Sequence, residues 1–143
     1  MTLVVDAAAI VAMHDRREPM QAGVERALGD EAGYLVLPAP VSAEVDYLLA
    51  SRGGSVARRP FLDDLAAGRY RVECLEQEDY RRVAALERTY SDLGVSLADL
   101  SIVVLAHRFG TNRVATFDER HFRALRPLDG GTFTLLPRDA QAS

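Results

Sequence analysis

Apolar residues in this chain fall into two kinds of pattern, and the two alternate. Continuous runs at 2–5 and 34–37 read as buried strands, 113–116 reads as a short buried strand, the alternating stretch 70–75 as a further strand, and 132–136 as a fifth. Between them, apolar residues recur at spacings of three and four, as helices with one buried face require. Asp6 is placed as the N-cap of a helix over 7–13. A second helix opens at Pro19 and stops at Gly29. A third starts near Val41 and carries the stripe Val41, Val45, Leu48 and Leu49. Gly53 and Gly54 turn the chain into another helix over 55–68, so the two can pair as a hairpin presenting apolar surface. A long helix over 78–92 is expected to turn Tyr80, Val83, Ala84 and Leu86 inward. Ser96 and Asp99 form a capping box at the start of a helix whose apolar row runs through Ile102, Leu105 and Phe109 to a stop at Gly110. Residues 119–125 form a short helix or turn, and a polar tail covers 138–143. Alternation of strand and helix predicts one α/β domain over 1–143. Its expected form is a three-layer α/β/α arrangement on a central parallel sheet of four or five strands.

Composition narrows the chemistry. The 143 residues are enough for one domain with a real core. Seventeen basic and 21 acidic residues give a net charge of −4, which argues against a general charge-driven nucleic-acid binder. It leaves room for a nuclease whose acids hold a metal. Every basic residue is Arg, and there is no Lys. Cys74 is the single cysteine, so an intrachain disulfide and a thiolate metal cluster are both excluded. It reads as a small buried hydrophobe in its strand. No signal peptide and no membrane-length apolar run is present, so the cytoplasm is the expected location.

Four acids change the picture. In an open parallel sheet, Asp6 and Asp118 both leave the carboxyl edge, and the helices carrying Glu44 and Asp99 in their first turns start at that edge. Each acid has an ordinary explanation of its own: Asp6 as a cap, Glu44 as a carboxylate satisfied by free backbone N–H groups, Asp99 as half of the capping box. Glu44 also falls on the apolar face of its helix, where an unpaired carboxylate is costly. Four carboxylates at one edge repel unless some are protonated or share a cation. Oxygen ligands without Cys or His partners favour magnesium or manganese over zinc. Such a cation orients a phosphate, stabilises developing charge and activates water, which is hydrolytic phosphodiester chemistry.

The segments Val4-Val5-Asp6, Glu44, Ser96-Leu97-Ala98-Asp99 and Thr116-Phe117-Asp118 together resemble the PIN-domain family. Within that family the chain is similar to the VapC-type ribonuclease toxins of bacterial toxin–antitoxin pairs. The resemblance spans essentially the whole chain. It implies an endoribonuclease dependent on Mg2+ or Mn2+, with Asp6, Glu44, Asp99 and Asp118 as the acidic quartet and Thr116 supporting it. It further implies structured RNA such as tRNA or rRNA as substrate, 5′-phosphate and 3′-hydroxyl products, a cognate VapB-type antitoxin and a homodimer. On that reading Asp6 and Asp99 are the principal metal ligands, and Asp118 completes the site or holds a second ion. Glu44 binds metal through water or helps deprotonate the attacking water. Arg16, Arg17, Arg120, His121 and Arg123 follow acid-bearing turns and are candidate RNA contacts, with solvated surface charge as the competing reading. One departure stands out: the family's Thr or Ser just after the first Asp is replaced by Ala7 and Ala8.

Other classes fit less well. A phospho-accepting receiver domain and a haloacid-dehalogenase-type phosphatase each need a Lys, and this chain has none. The phosphatase also needs an acid where Ala8 stands. A catalytically degenerate PIN-fold module that acts only by binding its antitoxin or another partner is the rival reading.

Overall fold

Strand β1 (Thr2–Val5) is apolar on both faces and lies in the middle of the sheet. The structure, a computed structural model, describes residues 2–15, 17–30 and 34–140. Among these, β1, β2 (Tyr34–Pro38), β3 (Arg71–Glu73), β4 (Arg113–Ala115) and β5 (Thr134–Leu136) form one sheet in the order β3-β2-β1-β4-β5, every pair parallel. The register sets Val4 beside Val36 on one side and Val114 on the other. Leu3, Val4, Val5, Val36, Leu37, Val114 and Leu135 are fully enclosed, as strands covered on both faces must be.

Helix α1 (Ala7–Met13) packs with both α2 (Gln21–Asp30) and α3 (Ala39–Ala66), and α4 (Gln77–Thr89) packs with α5 (Leu97–Arg108). These are the two outer layers, and right-handed crossovers place them on opposite faces of the sheet. A 3-10 turn (Ser91–Leu93) and the short α6 (Glu119–Ala124) complete the described elements. The three-layer parallel architecture is the one the alternation predicts.

The hairpin expected around Gly54 is present. Gly54 has φ 71° and ψ −165°, a backbone state essentially restricted to glycine. The side chain of Arg58 donates to Asp46 at 2.5 Å. In a straight helix those residues would stand about 18 Å apart, so the chain doubles back here.

Three local readings are corrected. Cys74 lies just past β3 and is exposed, because β3 is an edge strand that ends at Glu73. On α4, Tyr80 and Ala84 face solvent, and Asp79 turns inward with Val83. Asp79 is buried because the Arg108 guanidinium of α5 meets it, together with the Glu76 N–H at 2.8 Å. Glu44 is exposed: the enclosed row of α3 is Val41, Val45 and Leu49, and Glu44 stands beside that row at the rim.

Candidate active site

Chain direction through the sheet fixes where a site can form. From β1 the chain moves outward to β2 and β3, then crosses to the other side for β4 and β5. The carboxyl ends of β1 and β4 therefore flank a topological switch point, where open α/β sheets leave a crevice. Asp6 ends β1, and its backbone N–H donates to the Ala115 carbonyl of β4 at 2.9 Å. Thr116, Phe117 and Asp118 leave β4 at the same place.

Each acid is held by the local structure that its neighbours dictate. Asp6 caps α1 by accepting from the Ala7 N–H at 2.8 Å, and its other oxygen accepts from the Thr116 hydroxyl at 2.6 Å. That hydroxyl accepts in turn from the Asp118 N–H at 2.9 Å. Thr116 thus ties the two acids together and supplies Asp6 with the hydroxyl that Ala7 and Ala8 lack. Asp118 caps α6, taking the His121 N–H on one oxygen at 3.0 Å. Asp99 completes the expected capping box, with both of its bonds to Ser96 at 3.1 Å. Glu44 sits in the second turn of α3, which meets α5.

Electrostatics record the crowding. Burial chiefly, with smaller contributions from the charges of Asp99 and Glu44, raises the Asp6 carboxyl to about 6 against the bonds from Thr116 and Ala7. Only 6 % of Asp6 is exposed. Partial desolvation and then the charge of Asp99 raise Glu44 as well. Carboxyl oxygens of Asp99 and Asp118 and a ring nitrogen of His121 all lie within 4.8 Å of one another.

Among the described candidate RNA contacts, His121 lies beside the acids of this crevice. Its Nδ1 is 2.7 Å from Asp118 Oδ2 and 3.5 Å from Asp99 Oδ2. Arg123 forms a two-pronged pair with Asp139 at 2.9 and 2.7 Å, fastening the tail to α6. Arg120 is exposed on α6. Arg17 is exposed beyond the end of α1 that points away from Asp6, where it bonds Asp15. Arg16 lies outside the described residues. A cap Asp followed three residues later by His, one helical turn on, is the signal that could have placed His121 beside the acids.

Thr116→Val tests the tie between Asp6 and Asp118. Valine keeps the volume but leaves one buried Asp6 oxygen and the partly buried Asp118 N–H without their partner. A loss of about 1–3 kcal/mol in urea unfolding is expected, and an unchanged midpoint would overturn this role.

Residues 3–126 match the PIN domain family. The chain belongs to that family. Ribonuclease VapC26 of Mycobacterium tuberculosis is 37% identical to this PIN protein over 135 residues, which span 94% of this chain and 100% of VapC26. Among solved structures, that of M. tuberculosis VapC20, a sarcin–ricin-loop-cleaving toxin, shares the PIN fold with a TM-score of 0.74. The match covers 81% of this chain and 89% of VapC20 at 16% identity.

Proposed function

We propose that this PIN protein is a metal-dependent endoribonuclease and the toxin of a type II toxin–antitoxin pair. The observation that carries the reading is the convergence of Asp6, Asp99 and Asp118 at the β1/β4 switch point, with Glu44 at the rim. Similarity to VapC26 over its full length supports the same activity here.

The residues fit a hard divalent cation. A carboxyl raised to about 6 by burial and by neighbouring charge gains most from a positive partner. Asp99 and Asp118 each offer an oxygen within one coordination shell's reach of the other. Asp6, Asp99 and Asp118 would hold Mg2+ or Mn2+, which when bound orients the scissile phosphate and stabilises the charge that develops on it. Exposed Glu44, on α3, feels the charge of Asp99 and would accept a proton from the attacking water. Thr116 keeps Asp6 and Asp118 in register. Hydrolysis would leave a 5′-phosphate and a 3′-hydroxyl on structured RNA, tRNA or rRNA.

The hairpin of α3 leaves Tyr47, Val56 and Leu62 exposed. This apolar surface close to Glu44 is the expected seat of an antitoxin helix, and a homodimer is the expected assembly. No helix of the described residues is long and apolar enough to cross a membrane, in keeping with action in the cytoplasm.

Incubating the purified protein with total RNA tests the reading. With Mn2+ or Mg2+, cleavage at a small number of positions with new 5′-phosphate ends is expected, and a chelator should abolish it. Intact RNA in the presence of either ion would point instead to a module that acts only by binding.

A further inference from the structure

We infer that His121 is a ligand of the divalent cation held by Asp99 and Asp118, offering Nδ1 as the one nitrogen in a shell of oxygens, and that it biases the site toward Mn2+ over Mg2+. The inference rests on the metal-dependent reading above and adds to it a residue and a selectivity.

The geometry begins in the first turn of α6. Asp118 spends Oδ1 on the His121 backbone N–H, so Oδ2 remains for another partner. Three residues on, the His121 side chain returns to the same face of the helix. Its Nδ1 is buried, lies 2.7 Å from Asp118 Oδ2 and 3.5 Å from Asp99 Oδ2, and makes a hydrogen bond to neither. At these distances the ring is in ion-pair reach of both carboxylates, and a cation bound among the three groups would take the Nδ1 lone pair in place of a ring proton. Neighbouring ligands of an octahedral ion with bonds near 2.1 Å stand about 3 Å apart, and the two observed separations straddle that value.

The ring is also held in place. Phe122 is buried and packs edge-on against Phe133, with ring centres 6.0 Å apart, and Arg123 is fastened to Asp139. α6 is thereby anchored immediately after the imidazole's attachment, and the Asp118 cap holds the turn before it. Imidazole suits transition ions, whereas Mg2+ prefers oxygen and water. An all-oxygen shell read from the acids alone misses this preference.

Pulsed electron paramagnetic resonance on the Mn2+-loaded full chain reads the ligand directly. The other two histidines lie elsewhere: His14 near Asp64 and Arg69, and His107 beside Asp129. Modulation from a coordinated imidazole nitrogen is expected in the wild type and should vanish in His121→Gln. Calorimetry of that variant should show Mn2+ affinity lowered about 10-fold or more, with a smaller change for Mg2+. Mn2+ that is bound and lost in Asp99→Asn, yet gives no nitrogen modulation, would overturn the inference and leave the nuclease reading standing. Modulation that persists in His121→Gln would overturn it too. Absence of any Mn2+ binding would remove both readings. The wild-type spectrum decides the matter even if the variant folds poorly.

Discussion

Asp99→Asn is expected to lower metal-dependent RNA cleavage on the order of 10²–10³-fold while leaving the fold in place. The size follows from what the substitution removes. One carboxylate within reach of Asp118 and His121 loses its charge, and stabilisation of charge developing on the phosphate falls with it. The fold should survive because Asn keeps the capping role of Asp99 and removes only the charge assigned to the proposed metal. The Asp99 oxygen accepts from the Ser96 N–H, and its backbone N–H donates to the Ser96 hydroxyl. Asn retains that acceptor, so the capping box and the start of α5 persist. Initial cleavage rates with Mn2+, read beside far-ultraviolet circular dichroism, separate the capping role from the charge. Near-full activity in a folded Asp99→Asn protein would show that this acid is a cap and nothing more.

The double role also explains why part of the site was legible in the sequence. Ser96 and Asp99 stand at capping-box spacing, Asp6 follows an apolar strand, and Asp118 follows Thr116 at the end of another. Local geometry alone places all three at one sheet edge once the strands are parallel. β1 and the centre of β2 were readable for a related reason: strand residues enclosed on both faces form a continuous apolar run. The fold-back of α3 was visible in Gly53-Gly54, since only glycine accepts the backbone state found at Gly54.

What escaped depends on partners remote in sequence or on position at an edge. Asp79 is buried because Arg108, 29 residues away, meets it, and no local pattern announces that pair. The apolar stripe of α4 was therefore drawn through Tyr80 when the buried row runs through Asp79 and Val83. Cys74 reads as a buried hydrophobe of its strand, yet β3 is an edge strand that ends before it and leaves it exposed. Glu44 was placed one position too far into the face of its helix. His121 was set among possible RNA contacts with the nearby arginines, although the turn that makes Asp118 a cap brings the imidazole back over the acids.

Asp6→Asn is expected to stabilise the metal-free protein at neutral pH while abolishing its response to divalent ions. In the fold the Asp6 carboxyl keeps its proton up to about pH 6, whereas its ordinary value is 3.8. Between those values the folded state holds more protons than the unfolded chain, so the contribution of Asp6 to stability falls as pH rises through the window. Above about pH 6 the full penalty is in place, at most about 3 kcal/mol. Asn removes the charge and still accepts the Ala7 N–H, but it no longer takes the Thr116 hydroxyl as an ionised acceptor, which returns about 1 kcal/mol or more. A net gain of about 1–2 kcal/mol at pH 7.5 corresponds to a melting temperature higher by about 3–6 °C. The gap should narrow toward pH 5, where the wild-type carboxyl is largely protonated. Asp15 and Asp139 are held below the ordinary carboxylate range, chiefly by the Arg17 N–H and the Arg123 side chain respectively, and both are common to the two proteins. They cancel in the difference, which leaves Asp6 and the two acids coupled to it, Asp99 and Glu44. Adding Mg2+ should raise the wild-type melting temperature more at pH 7.5 than at pH 5 and leave the variant unmoved. A variant that melts below the wild type at pH 7.5 without metal would show that the buried charge is already compensated within the protein, and the physical case for a cation at this edge would fail.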